Sequence, residues 1–284
     1  MFAWNKITGS PLHQKIIDEW TTLLNDSEKK ESDYQLFISD HAGFFFPRNQ
    51  DFNGNQLVLE KTCLGSDYIT DFVNLLCNRS YGFGYTLIEI ESPHDKLYTK
   101  SGNPSAAFNS ALEQIRSWKR WISANMDTAK RIFPSKEFAI TGIPSIKYMI
   151  IIGRREDGQE VLEKRNQIFR DEGIEVRSFD YLTDVVELRS FYSHLWISND
   201  FSFISEQDNN EFSSPFYKAI SDATWRKMLK EFLPNHSHMV GQNIKSILAH
   251  RIYNKVKKTE FISWVSENGR NVIDEREKKL LHKT

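Results

Sequence analysis

The stretch Tyr85-Thr-Leu-Ile-Glu-Ile-Glu-Ser-Pro93 alternates apolar and acidic residues, and it constrains the fold more than any other segment. Successive side chains on a strand point to opposite faces, so Ile88 and Ile90 enter apolar packing while Leu87, Glu89 and Glu91 share the other side. The preceding segment, Tyr68-Ile-Thr-Asp-Phe-Val-Asn-Leu-Leu76, predicts a partner strand, with Asn78-Arg-Ser-Tyr-Gly-Phe-Gly84 between the two. A hairpin folding near Ser80 sets Asp71 opposite Glu89, with Cβ atoms about 5 Å apart. Three acids then crowd one place. Like charges at that distance raise one another's pKa, so the arrangement calls for a proton or a cation between them. Hard oxygen ligands, some of them water, suit Mg²⁺ or Mn²⁺.

With 284 residues, including 20 Phe and 7 Trp, the chain can bury a full core. The longest apolar stretch, residues 146–152, carries Lys147 and is too short to cross a bilayer. The amino terminus lacks the basic-then-apolar layout of a signal peptide, so the expected setting is the cytoplasm, with no membrane partner. Cys63 and Cys77 are the only cysteines and form no zinc or disulfide pattern. A net charge of −1 gives no global attraction for nucleic acid, so any such binding must use local basic patches.

Helix spacing recurs at Leu12, Ile16, Ile17, Trp20, Leu23 and Leu24, and residues 31–39 predict a second short helix. A polar loop follows, then a strand over residues 56–60, giving a meander of three antiparallel strands. Beyond Pro93, a loop bearing Lys96 and Lys100 leads to a long helix capped by Ser105. Its buried stripe is Phe108, Ala111, Leu112, Ile115, Trp118 and Ile122, with Gln114 beside it. Residues 147–153, 159–171 and 174–179 read as strand, helix and strand, for which parallel strands are the default. A helix over residues 182–196 precedes a polar run at 199–214, which places a boundary near residue 200. The rest reads as helical, with Ile244, Leu248, Ile252 and Val256 at four-residue spacing. His236-Ser-His238 lacks acid or cysteine partners and reads as a polar loop. Gly82-Phe-Gly84 is turn chemistry and not a phosphate cradle.

Three segments carry a resemblance to a known family: Leu64-Gly-Ser-Asp-Tyr-Ile-Thr-Asp-Phe-Val73, Thr86-Leu-Ile-Glu-Ile-Glu-Ser-Pro93, and the helix from Ser105 through Gln114 to Trp118. They resemble the PD-(D/E)xK nuclease superfamily and, within it, the Shedu anti-phage defence proteins of the DUF4263 type. Ile150-Ile-Ile-Gly-Arg154 and Arg177-Ser-Phe-Asp-Tyr-Leu182 look like that family's later core strands. The likeness covers roughly residues 30–190. It implies a restriction-endonuclease-like α/β fold, with a mixed central sheet flanked by helices and a C-terminal helical appendage. The expected organisation is a nuclease-like domain over residues 1–199 and a helical region over 200–284.

In that family the positions matching Asp71 and Glu89 bind a divalent metal, and a lysine two residues further on helps to activate water. Here that third position is Glu91, and Thr70 stands where the signature has proline. A lysine supplies positive charge to the reacting phosphorus, whereas a glutamate only accepts a proton or binds metal. Lys96 and Lys100 are the candidates to return that charge and contact nucleic acid. Gln114 matches a glutamine that orients site water or substrate phosphate, and Glu31 resembles an early helical acid of relatives. The resemblance therefore implies a metal-dependent endonuclease using Mg²⁺ or Mn²⁺ on DNA, with Asp71, Glu89, Glu91 and Gln114 catalytic. It also implies a homo-oligomer. The alternative is a catalytically silent module with the nuclease fold that binds nucleic acid or protein.

Overall fold

The computed structural model describes residues 11–46, 57–77, 83–133, 145–155 and 158–196. In chain order the elements are α1 (Pro11–Asn25), α2 (Glu31–Asp40), α3 (Ala42–Phe45), β1 (Leu57–Glu60), β2 (Cys63–Leu64), β3 (Tyr68–Ile69), β4 (Phe72–Cys77) and β5 (Phe83–Ile90). There follow α4 (Ala106–Ala124), α5 (Met126–Ile132), β6 (Ser145–Ile151), α6 (Gln159–Glu172), β7 (Ile174–Arg177) and α7 (Phe179–Trp196). Among the described residues the main sheet runs β1-β4-β5-β6-β7, and β2 pairs with β3 alone. β1, β4 and β5 are antiparallel neighbours, whereas β5, β6 and β7 are parallel. The protein is therefore α/β with a mixed sheet, as the order of apolar runs predicts.

Both faces of the sheet are covered. Phe72 and Tyr85 lie on opposite faces by the β4–β5 register, and each meets a ring from a different helical layer. The Phe72 ring lies 5.4 Å from that of Phe46, just after α3, while Tyr85 lies 5.1 Å from Phe133, just after α5. On the amino-terminal side, Trp20 of α1 packs edge-on against Phe45 and stacks on Phe179 at the start of α7. Its indole N–H donates to Thr183 Oγ1 at 2.9 Å, so the buried polar atom is satisfied.

Helix α4 forms where its sequence predicts. The Ser105 hydroxyl accepts the Phe108 N–H at 3.1 Å, capping an orphan donor of the first turn. All six residues of the expected stripe are buried, and Trp121 joins them. From the middle of α4 the Arg116 guanidinium grips Glu172 through two nitrogens, at 2.6 and 2.7 Å, tying α4 to the end of α6.

Two boundaries differ from the sequence reading. The strand expected over residues 68–76 breaks at Thr70 and Asp71, so Asp71 lies in a bend before β4 and not within it. β5 ends at Ile90, which leaves Glu91 one residue beyond the strand, although its N–H still donates to Ile151 O at 2.9 Å. The turn about Ser80, the proposed boundary near residue 200, and the segments containing His236, His238 and Ile244 lie outside the described residues.

Candidate functional site

Strand register builds the site. Phe72 faces Ile88 across β4 and β5, so the next place along pairs Asp71 with Glu89. Glu60 faces Phe72 in β1–β4, and Cys63 faces Ile69 in β2–β3, so one continuous register carries Lys61 opposite Asp71. The backbone agrees: Lys61 N–H donates to Asp71 O at 3.0 Å, and Thr70 N–H donates to Thr62 O at 3.0 Å. Residues directly opposite one another share a face, so Lys61, Asp71 and Glu89 form a row across three neighbouring segments.

A chain of hydrogen bonds runs through this row. Lys61 Nζ donates to Asp71 Oδ1 at 2.5 Å and to Gln35 Oε1 at 2.9 Å. Gln35, one turn into α2, donates from Nε2 to Glu31 Oε1 at 2.7 Å. The second Asp71 oxygen accepts the Ile90 N–H at 2.8 Å. Asp71 and Glu89 are each 7% exposed, yet Glu89 Oε2 is buried without a hydrogen-bond partner. An uncompensated buried carboxylate oxygen is costly, so this atom requires a proton or a cation.

The surrounding field is negative. Burial, followed by repulsion from Asp71, Glu91 and Glu31, holds the Glu89 carboxyl well above the usual carboxylate range. Burial and then Glu31, Asp95 and Asp71 push Glu91 up to about 7. Glu31 is raised by burial and by Asp71, with Lys61 opposing. Glu31 therefore belongs to the same electrostatic cluster as the two acids on β5 and its extension, a stronger link than sequence alone provides.

The cluster sits at the carboxyl ends of the parallel strands, where ligands of open α/β sheets bind. Gly153, just past β6, bonds through its N–H to Ser92 O at 3.0 Å and accepts the Phe179 N–H at 2.9 Å, so the three strand ends are stitched together. The loop after Ser92 is held from α6: Lys164 lies 4.7 Å over the Tyr98 ring and donates to Gly102 O at 3.3 Å.

The expected site residues fall into two groups. Asp71, Glu89 and Glu91 come together, and Glu31 joins them. Gln114 is half-buried on α4 and makes no hydrogen bond to these acids, while Lys96 and Lys100 are exposed on the loop without ion pairs to them. Sequence reasoning missed Lys61 and Gln35. Extending the expected antiparallel pairing of residues 56–60 by one place would have found Lys61, and Gln35 follows Glu31 by one helical turn.

Fold and cluster together define an α/β protein with a mixed sheet that gathers buried carboxylates and one lysine at the ends of its parallel strands. The family model for the C-terminal part of the Shedu protein SduA matches residues 28–183, more than half of the chain, and the protein belongs to that family. The matched span runs from just before α2 to the first turns of α7 and contains every residue of the cluster. Membership suggests a role in anti-phage defence. No individual curated protein matches the sequence.

Proposed function

We propose that the protein is a divalent-metal-dependent endonuclease that hydrolyses DNA phosphodiester bonds in anti-phage defence, on a restriction-endonuclease-like fold. The observation that carries this reading is the pairing of Asp71 with Glu89, whose Oε2 is buried and unpartnered beside two further acids, Glu91 and Glu31. Among the described residues no three His, Cys, Asp or Glu side chains form a ready-made ligand set. Mg²⁺ does not need one, because it retains several waters and is held by one or two carboxylates plus substrate phosphates. Asp71, Glu89 and the Ile90 carbonyl are the groups to hold it. Such an ion polarises the phosphate and lowers the pKa of water.

The chain's own residues have distinct tasks. Glu91 lies just beyond β5, and a carboxyl raised to about 7 is matched to accepting a proton near neutral pH. Water oxygen adds to phosphorus, its proton passes to Glu91, and one P–O ester bond breaks. The departing oxygen takes a proton from solvent, leaving a phosphate end and a hydroxyl end. Gln114, Lys96 and Lys100 then serve at the margin, orienting water or holding the nucleic-acid backbone.

The test is cleavage of duplex DNA in Mn²⁺ or Mg²⁺. Asp71→Ala and Glu89→Ala each lower the rate by roughly 100-fold or more while the circular dichroism spectrum is retained. Undiminished cutting by either variant overturns the assignment. One observation favours a second reading, a binding module without chemistry: both Asp71 oxygens already have partners, Lys61 and the Ile90 N–H. That reading predicts no cleavage under any metal and no Mn²⁺ binding that depends on Glu89.

A further inference from the structure

We propose that Lys61, on the turn after β1, is the cation that contacts a phosphate oxygen of the bound nucleic acid, filling the role that Glu91 cannot fill on the β5 extension. The inference rests on the phosphodiester reading of the site. Four observations lead to it. Lys61 is in the same row as Asp71 and Glu89, and its ammonium lies 2.5 Å from Asp71 Oδ1 at the edge of the acid cluster. Its side chain is 46% exposed while that of Asp71 is 9% exposed, so Lys61 is the more solvent-accessible member of the pair. The ammonium is held from two sides, by Asp71 Oδ1 and Gln35 Oε1, which fixes its position without covering it.

The fourth observation is conformational. Lys61 has φ +50, and it is the only non-glycine residue with positive φ among the described residues. That region suits glycine or asparagine and costs a lysine about 1 kcal/mol or more. A turn that needed only its backbone shape would carry glycine. Asp71 is buried, so the ammonium also compensates its charge, which glycine at this turn could not do. Lys61 stands beside Glu31, Asp71, Glu89, Glu91 and Asp95, and an ammonium aimed at a phosphate offsets the repulsion of DNA by those of them that are ionised.

The experiment uses the full chain with Lys61→Gly and Lys61→Arg. Glycine eases the turn but leaves the buried Asp71 oxygen without its cation, so the thermal midpoint of Lys61→Gly falls, and all readouts are taken at a temperature where both chains stay folded. A duplex oligonucleotide in Ca²⁺ reads phosphate contact, Mn²⁺ calorimetry reads the metal site, and single-turnover cleavage in Mn²⁺ reads chemistry. The expected result for Lys61→Gly is cleavage down roughly 100-fold, oligonucleotide affinity down several-fold, and Mn²⁺ affinity level or higher because Asp71 loses a competing cation. Lys61→Arg recovers part of both losses. Oligonucleotide affinity indifferent to Lys61→Gly, no oligonucleotide bound by the unsubstituted chain, or weakened Mn²⁺ binding would each overturn the inference. An unsubstituted chain that binds the duplex through Lys61 yet never cuts it would end the nuclease reading while leaving Lys61 as the phosphate contact.

Discussion

Glu89 and Glu91 hold their protons more tightly in the folded chain than in the unfolded one, and this fixes the sign of a pH effect. As pH rises past the ordinary glutamate value of 4.5, the unfolded chain releases those protons first, so folded stability is full below that value and declines through the Glu91 value of about 7 and beyond. Glu172 acts in the opposite sense at lower pH, because its bond to Arg116 holds its carboxyl below the usual range. The window from pH 5 to 9 therefore separates the cluster from Glu172. Thermal melts in EDTA show a midpoint that falls across this window, and Glu89→Gln flattens the fall. Mn²⁺ raises the midpoint more at pH 8 than at pH 6, since at the lower pH protons compete for the same oxygens. A midpoint independent of pH in the unsubstituted chain would contradict the buried-acid account.

Among the elements, the sequence was legible where one local period decides the outcome. The stripe of α4 and the alternation of β5 each repeat within a single segment, and both expectations match. The pairing of Asp71 with Glu89 was also accessible, because a hairpin's midpoint sets its register. Lys61 was within reach of the same register, one place beyond the expected strand, but its left-handed backbone angle is one that no lysine signals. Strand ends were misplaced for a related reason: the bend at Asp71 and the end of β5 depend on neighbouring segments and not on propensity. Gly153 illustrates the same dependence. It has φ +69, and a Cβ there would lie 2.6 Å from Asp95 O and 3.3 Å from Leu97 Cδ1. Gly153→Ala therefore strains the backbone and displaces the loop leading to Lys96, lowering stability by about 1–3 kcal/mol in a denaturant titration. No measurable loss would show that the loop moves aside freely.

For the molecule as a whole, the mixed sheet divides labour. Its antiparallel half brings Lys61, Asp71 and Glu89 into one row, and its parallel half supplies the open carboxyl ends and the loops around them. Among the described residues no helix is long and apolar enough to cross a membrane. The family match ends at residue 183, inside α7, so the segment expected to form a helical appendage lies beyond both the match and the described residues. Homo-oligomerisation remains a proposal with a direct check: light scattering on the full chain returns at least twice the monomer mass, and a monomeric mass at micromolar concentration contradicts it.

The left-handed backbone at Lys61 sets main-chain shape against charge at a single codon. Shape alone favours glycine there, whereas the buried Asp71 and a bound phosphate both favour a basic residue. A relative with glycine at this turn would have an easier bend but no grip on the phosphate, unless it carries its positive charge on another strand.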